Sequence, residues 1–160
     1  MAKSLDFEEG SVKNLNAGLG DEIQAVLQYI FFHEALDQMG FDEFSKFFMG
    51  TAIAEMKHAE RTMGQIWILR GIPLANPSNP TQPITDVRKM FELSKQLETK
   101  ARMDYGRFAK QALADGDPPT HDLFESLVGD EQEHWDYVDI QIQTIDKFGD
   151  TYLAALLADK

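Results

Sequence analysis

No cysteine occurs among the 160 residues, which excludes disulfides, iron–sulfur clusters, thiolate zinc sites and cysteine nucleophiles. Basic residues are scarce: 15 Lys and Arg stand against 27 Asp and Glu, for a net charge of -12. That balance speaks against nucleic acid or an anionic membrane as partner and favours cations. No apolar run reaches the length of a membrane span, and no useful stretch alternates with a strand's period. The opening Met1-Ala2-Lys3-Ser4-Leu5-Asp6 has no apolar run resembling a signal peptide, so a cytoplasmic location is expected. What is there, 43% hydrophobic and 26% charged, is a globular composition on the length of one domain, 1–160.

Glycine and proline divide the chain into long helical patterns. The first is expected over about 11–38, stopping at Met39-Gly40. The second, about 42–70, would be capped by Asp42 and ended by Gly71 with Pro73 beyond. Pro73, Pro77, Pro80 and Pro83 make 71–85 an extended crossover. Asp86 opens a third pattern to about 114, and Asp117-Pro118 supplies a cap and first-turn proline for a fourth, about 118–147. Asp150 would cap a short fifth helix over about 151–159. Two hairpins joined by one long crossover predict an all-α four-helix bundle with a short C-terminal helix.

An internal repeat carries the most information. An offset of 76 places Glu22 on Glu98, Ala25 on Ala101, Tyr29 on Tyr105 and Phe32 on Phe108 without a gap. It continues through Gly40 and Gly116, Phe48 and Phe124, Glu55 and Glu131, and His58 and His134. The hairpins read as two copies of one unit packed about a pseudo-two-fold axis. A merely structural repeat would keep apolar positions and let the polar ones drift.

Glu55-x-x-His58 and Glu131-x-x-His134 each put a carboxylate and an imidazole on one helix face. Chance gives about 0.3 such pairs in a chain of this composition, so the pairs alone are only suggestive. Their register says more: Glu22 and Glu55 straddle Gly40 at similar heights, and Glu98 and Glu131 repeat this around Gly116. Four carboxylates and two imidazoles would therefore meet at one level of the core. Unpaired, those carboxylates would repel and be costly to desolvate; two divalent cations cancel the charge. Iron leads on the mixed carboxylate and imidazole donors, with manganese or a mixed site as alternatives. His33 and His121 read as hydrogen-bonded structural or surface residues.

At these positions the chain resembles bacterioferritin, the haem-associated branch of the ferritin family. The resemblance rests on Glu22 with Gln28-Tyr29, on Glu55-Met56-Lys57-His58-Ala59-Glu60, on Asp130-Glu131-Gln132-Glu133-His134 and on Gly149-Asp150-Thr151-Tyr152-Leu153. It implies a hollow homo-oligomeric cage of 24 subunits, built from two-fold dimers, that oxidises Fe(II) with dioxygen or peroxide and stores ferric mineral. A ferredoxin-type reductant for iron release would fit the same resemblance. By it, Glu55 and Glu131 bridge two irons, Glu22 with His58 completes one shell, and Glu98 with His134 the other. Tyr29 and Tyr105 lie seven residues after their glutamates, on the same faces, and are expected to orient carboxylates of the opposite hairpin. For Tyr105, core packing with some other partner competes.

Met56 sits about 100° round the helix from Glu55 and so points away from the metal level. With Met49 and Met63 it forms a seven-residue stripe whose plain reading is interface packing. The resemblance implies instead that Met56 and its copy across a dimer axis ligate one haem iron. Ile23, Val26, Leu27 and Ile30 would line that pocket, and Met49 would lie beside it. Gly50 and Ala54 depart from relatives that carry His and Asp there, which puts an inner-surface iron site in doubt. Two other readings are a rubrerythrin-like peroxidase and a haem-binding or structural subunit of a mixed cage. Zero Cys and Ala101 oppose the first, and the complete ligand set opposes the second. A DNA-protecting mini-ferritin is disfavoured by ligands confined to one chain and by the expected fifth helix.

Overall fold

The computed structural model describes residues 6–158, with side chains from Glu9 onward. Met1–Leu5, most of the segment read for a leader, and Asp159, the expected end of the last helix, lie outside the described residues. Four helices account for nearly all the rest: α1 Asp6–Met39, α2 Asp42–Ile68, α3 Val87–Ala114 and α4 Pro118–Ala158. No described helix is long and apolar enough to cross a membrane. α1 pairs with α2 and α3 with α4, and the hairpins meet through α1 against α3 and α2 against α4.

Both hairpin turns are closed by the same chemistry. Gly40 and Gly116 take positive φ, 85° and 81°, a conformation that strains residues bearing a side chain. Behind them Phe41 N–H donates to Leu36 C=O at 2.9 Å and Asp117 N–H to Ala112 C=O at 2.8 Å. These six-residue closures satisfy the last carbonyls of α1 and α3. Asp86 accepts from Lys89 N–H at 2.9 Å and Asp117 from Thr120 N–H at 3.3 Å, so both caps expected for the second hairpin form. Ser11 Oγ donates to the other Asp117 oxygen at 2.6 Å, tying α1 to that turn.

Several boundaries differ from expectation. α1 begins at Asp6 rather than near Ser11, because a lone Gly10 costs a helix too little to stop it. Asp42 does not cap α2: the Gly40 turn leaves Phe41 at the cap, without a side-chain hydrogen bond, and Asp42 joins the first turn. α2 ends at Ile68, and Arg70, not Gly71, takes the left-handed conformation with φ 61°. Gly71 is needed for space instead, since a Cβ there would lie 2.7 Å from the Val12 side chain. The fifth helix continues α4 beyond a break at Gly149, whose φ of 54° and ψ of -138° turn the chain. Beyond the break, Tyr152, Leu153 and Leu156 pack on the core, and Tyr152 donates to Gln141 at 2.7 Å.

The crossover is strapped along α1 by residues four apart. Asn16 receives Leu74 N–H at 2.8 Å, Gly20 C=O receives Ser78 N–H at 3.0 Å, and Gln24 accepts from Asn79 at 3.1 Å. Gln28 closes the series reciprocally, accepting Gln82 N–H at 2.8 Å and donating to Gln82 C=O at 3.0 Å. Spacing of four keeps all four positions on one face of α1. The backbone approaches so closely that a Cβ on Gly20 would sit 2.7 Å from Ser78 Oγ.

The buried apolar residues fall into two clusters. One, rich in aromatics, contains Tyr29, Phe32, Phe44, Phe48 and Phe91; the other contains Leu15, Leu19, Ile66, Tyr105, Phe124 and Leu127. Each cluster supplies one tyrosine to the polar layer of carboxylates.

Candidate metal centre

All four helices contribute to that layer. Glu22 comes from α1, Glu55 and His58 from α2, Glu98 from α3, and Glu131 and His134 from α4. The four carboxylates and His58 are buried, and His134 nearly so. Donor atoms of Glu22, Glu55, His58 and Glu131 lie within 4.8 Å of one another, as do those of Glu55, Glu98, Glu131 and His134. The two groups share Glu55 and Glu131. All six residues singled out in the sequence thus converge, as two overlapping donor sets related by the internal repeat.

Each imidazole turns Nδ1 inward. His58 Nδ1 lies 2.8 Å from Glu55, 3.0 Å from Glu131 and 3.5 Å from Glu22. His134 Nδ1 lies 3.2 Å from Glu55, 3.2 Å from Glu131 and 3.7 Å from Glu98. One N–H cannot satisfy three carboxylates. Oε1 of Glu55, 3.2 Å from His134 Nδ1, and Oε1 of Glu131, 3.0 Å from His58 Nδ1, are accordingly buried without a well-aligned hydrogen bond. A buried carboxylate oxygen that only shares a poorly aligned donor is destabilising unless a cation takes the donor's place. These atoms belong to the two shared glutamates, so two ions flanked by Glu55 and Glu131 would satisfy both.

The tyrosines fix the outer carboxylates across the hairpins. Tyr105 O–H donates to Glu22 Oε1 at 2.5 Å, and Tyr29 O–H donates to Glu98 Oε1. Each leaves the second oxygen of its glutamate facing the centre. Burial, then neighbouring glutamate charge, pushes both phenols well up, so they stay donors.

Without a divalent cation the charges are balanced by protons. Burial and then the charge of Glu55 push Glu22 and Glu98 well above the usual carboxylate range. Burial opposes a charged His58, but its hydrogen bonding to the carboxylates of Glu131, Glu22 and Glu55 outweighs that and pushes the imidazole up to about 12. His134 rises likewise against its burial, through Glu131, Glu55 and Glu98. Burial would raise Glu131, yet its contacts with His134 and His58 hold it well below the ordinary value. Such a cluster takes up a divalent cation by releasing protons.

The Ferritin-like domain family model matches residues 12–148. The bacterioferritin of Desulfovibrio desulfuricans is 31% identical over 145 residues, 91% of this chain and 81% of that protein. The chain belongs to the bacterioferritin family. Streptomyces coelicolor bacterioferritin is 27% identical over 147 residues, 91% of this chain and 88% of its own. The structure of the D. desulfuricans bacterioferritin, known with its diiron site in different catalytic states, gives a TM-score of 0.93 at 29% identity. It covers 98% of this chain and 91% of that one. Rhodobacter capsulatus bacterioferritin, solved with a metal-free dinuclear site and a haem iron, gives 0.88 at 28% identity, covering 94% of each chain.

The residues named for the haem of a bacterioferritin separate into two groups. Ile23, Val26, Leu27 and Met56 line one apolar surface hollow of about 370 Å³, with Ala59, Glu60 and Met63. Ile30 and Met49 lie outside its lining, Ile30 less than one helical turn beyond Leu27 on α1 and Met49 about two turns before Met56 on α2. Met56 is 54% exposed, which core packing within one chain does not explain. His33 Nδ1 bonds at 2.9 Å to Ser45 C=O, and His121 Nδ1 at 3.0 Å to Ala109 C=O. These are one contact of the repeat made from opposite helices, and neither imidazole faces the centre.

Asp130 escaped the sequence reading as a separate element. Its Oδ2 lies 3.2 Å from His58 Nε2, on the side of the ring away from the donor cluster. The two residues are 72 apart in sequence, so helical spacing gives no sign of the contact. The repeat hides it too, because the residue matching Asp130 is Ala54.

Proposed function

We propose that this chain is an iron-storage protein whose subunit carries its own ferroxidase centre. The observation that carries this reading is the convergence of six donors as two sets sharing Glu55 and Glu131, whose buried Oε1 atoms lack well-aligned hydrogen bonds. Fe(II) is the substrate. Glu55 and Glu131 would bridge two ions, Glu22 with His58 would complete one set and Glu98 with His134 the other. Four carboxylates neutralise two Fe(II), and hard oxygen donors with imidazole stabilise the trivalent product further. Two Fe(II) supply the two electrons that take dioxygen and two protons to hydrogen peroxide. Peroxide can itself accept two electrons and two protons to give water. Tyr29 and Tyr105 hold Glu98 and Glu22 in place throughout, which limits rearrangement as charge builds.

The same reading extends to assembly. Homo-oligomerisation into a 24-subunit cage in the cytoplasm would enclose the ferric product, and a ferredoxin-type donor would return electrons for release. The exposed thioether of Met56 in its apolar hollow fits half of a haem pocket, completed by the same surface of a second copy. Haem there would supply an electron-transfer group, held by Met56 and its copy.

Aerobic addition of Fe(II) to the purified protein tests the central claim. Rapid growth of ferric absorbance is expected, much slower in Glu131→Ala; equal rates would overturn it. For haem, a Soret band should appear on reconstitution and be lost in Met56→Leu, and its persistence would remove Met56 as ligand. A stable monomer in gel filtration would remove the storage role.

A further inference from the structure

The donor cluster is nearly symmetric, but the shell behind it is not. On the His58 side, Arg61 donates to Ser126 Oγ at 2.8 Å and lies 3.7 Å from Asp130 Oδ2, which reaches the outer nitrogen of His58. The offset of 76 assigns Tyr137 to Arg61, Gly50 to Ser126 and Ala54 to Asp130. Every member of the chain is thus replaced in the other half. Tyr137 stacks on Phe47 with ring centroids 3.9 Å apart, turned to packing instead. Among the described residues no carboxylate stands behind His134, and a Cβ at Gly50 would meet nothing within 4 Å.

The solvent contact differs in the same sense. A surface hollow of about 400 Å³ lined by Gly50, Ala54, Lys57, Asp130 and Glu133 reaches both imidazoles. The His134 side chain is 15% exposed to it and the His58 side chain 5%. An imidazole held at its outer nitrogen presents its inner nitrogen in one orientation, whereas an unheld ring is free to turn about its bonds.

We propose that Asp130, braced by Arg61 and Ser126, is a positioning residue that makes the His58 half the firmly held position of the metal pair. The His134 half, without such a brace, is then the weaker-binding position. The proposal rests on the two-ion reading of the centre and assigns different affinities to its halves.

Titration of the metal-free protein with Co(II), followed by ligand-field absorbance and calorimetry, tests it without reference to turnover. Two binding steps are expected, differing by about 10–100-fold in affinity, the range associated with loss of an outer partner of a metal-binding histidine. His134→Ala should remove the weaker step and His58→Ala the tighter one. Asp130→Ala should weaken the tighter step by about 10–100-fold, so that the two merge, with helicity unchanged by circular dichroism. Ala54→Asp should tighten the weaker step. Glu133→Gln removes a charge from the same hollow and should leave the order of filling as it was. Two equal steps in the unaltered protein, or equal weakening of both by Asp130→Ala, would overturn the inference while leaving the two-ion reading intact. Failure of the unaltered protein to bind Co(II) at all would instead overturn that reading, and the inference with it.

Discussion

The hairpin of α1 and α2 and the hairpin of α3 and α4 share their turns, their donor residues and their tyrosines, yet differ wherever the matching residues reach the rim. Glu22 and Glu98 each accept from the tyrosine of the other hairpin, and Gly40 and Gly116 close identical turns. Arg61, Ser126 and Asp130, by contrast, correspond to Tyr137, Gly50 and Ala54. Burial explains the division. A buried carboxylate that loses its partner is expensive, so inner positions hold each other fixed. An exposed ion pair contributes little, so rim positions can change without loss of the fold.

The largest test of this equivalence removes one carboxylate from each hairpin. Glu22→Ala and Glu98→Ala should each slow aerobic Fe(II) oxidation, by about 100-fold or more, since loss of an outer partner alone costs 10–100-fold. Stopped-flow absorbance would show whether the two losses match; a variant that keeps the full rate would break the comparison at its centre.

Removing protons or metal acts on both halves together. His58 is raised from 6.5 to about 12 in the folded, metal-free protein. Its stabilising contribution is therefore complete below pH 6.5 and is lost as pH rises toward the folded value. Glu22 and Glu98 are also raised, so burying them favours the neutral form, and their contribution likewise fades as pH rises above 4.5. Each group acting in its window changes stability by at most about 1.4 kcal/mol per pH unit. The melting temperature of metal-free protein should fall from pH 6.5 to 9, and a bound divalent cation should flatten that slope. A melting temperature that rises over this interval would contradict the proton-balanced cluster.

Smaller effects sharpen the comparison. Tyr29→Phe and Tyr105→Phe each strip a buried carboxylate of its donor, at a cost of about 1–3 kcal/mol in thermal or denaturant unfolding. Near-equal losses are expected, because both hydroxyls do the same work from opposite sides. Arg70 offers the mildest case. It adopts the left-handed conformation that Gly40 and Gly116 take in the hairpin turns. Arg70→Gly should stabilise the protein by up to about 1 kcal/mol, the relief being offset by the greater freedom of glycine when unfolded. A loss of stability would mean that the arginine side chain holds the end of α2.

The repeat made much of this architecture readable before any coordinates. Gly40 and Gly116 announce their turns because glycine takes those φ angles without strain, and polar residues at matched heights announce a shared centre. Phe41 at the start of α2 was not readable, since the Schellman-type closure behind Gly40 decides the cap rather than the local preference of Asp42. Arg70 defeated the glycine rule because Gly71 is required for the approach of Val12. Asp130 was hidden by the very symmetry that revealed Glu131. Asn16, Gly20, Gln24 and Gln28 do show a spacing of four, but nothing in their identities says that an extended segment lies upon them.

The crossover strapped to α1 also serves as a depth gauge. It joins the end of α2 to the start of α3, so its four anchor points set how far the second hairpin is inserted beside the first. A slip of one helical turn would carry Glu98 and Glu131 about 5.4 Å past Glu22 and Glu55, beyond the reach of any shared ion. Apolar ridges repeat every turn and tolerate such slippage far better than an ordered series of amide contacts does. The vertical alignment of a centre built from two halves is thus written into a segment that touches none of its histidines.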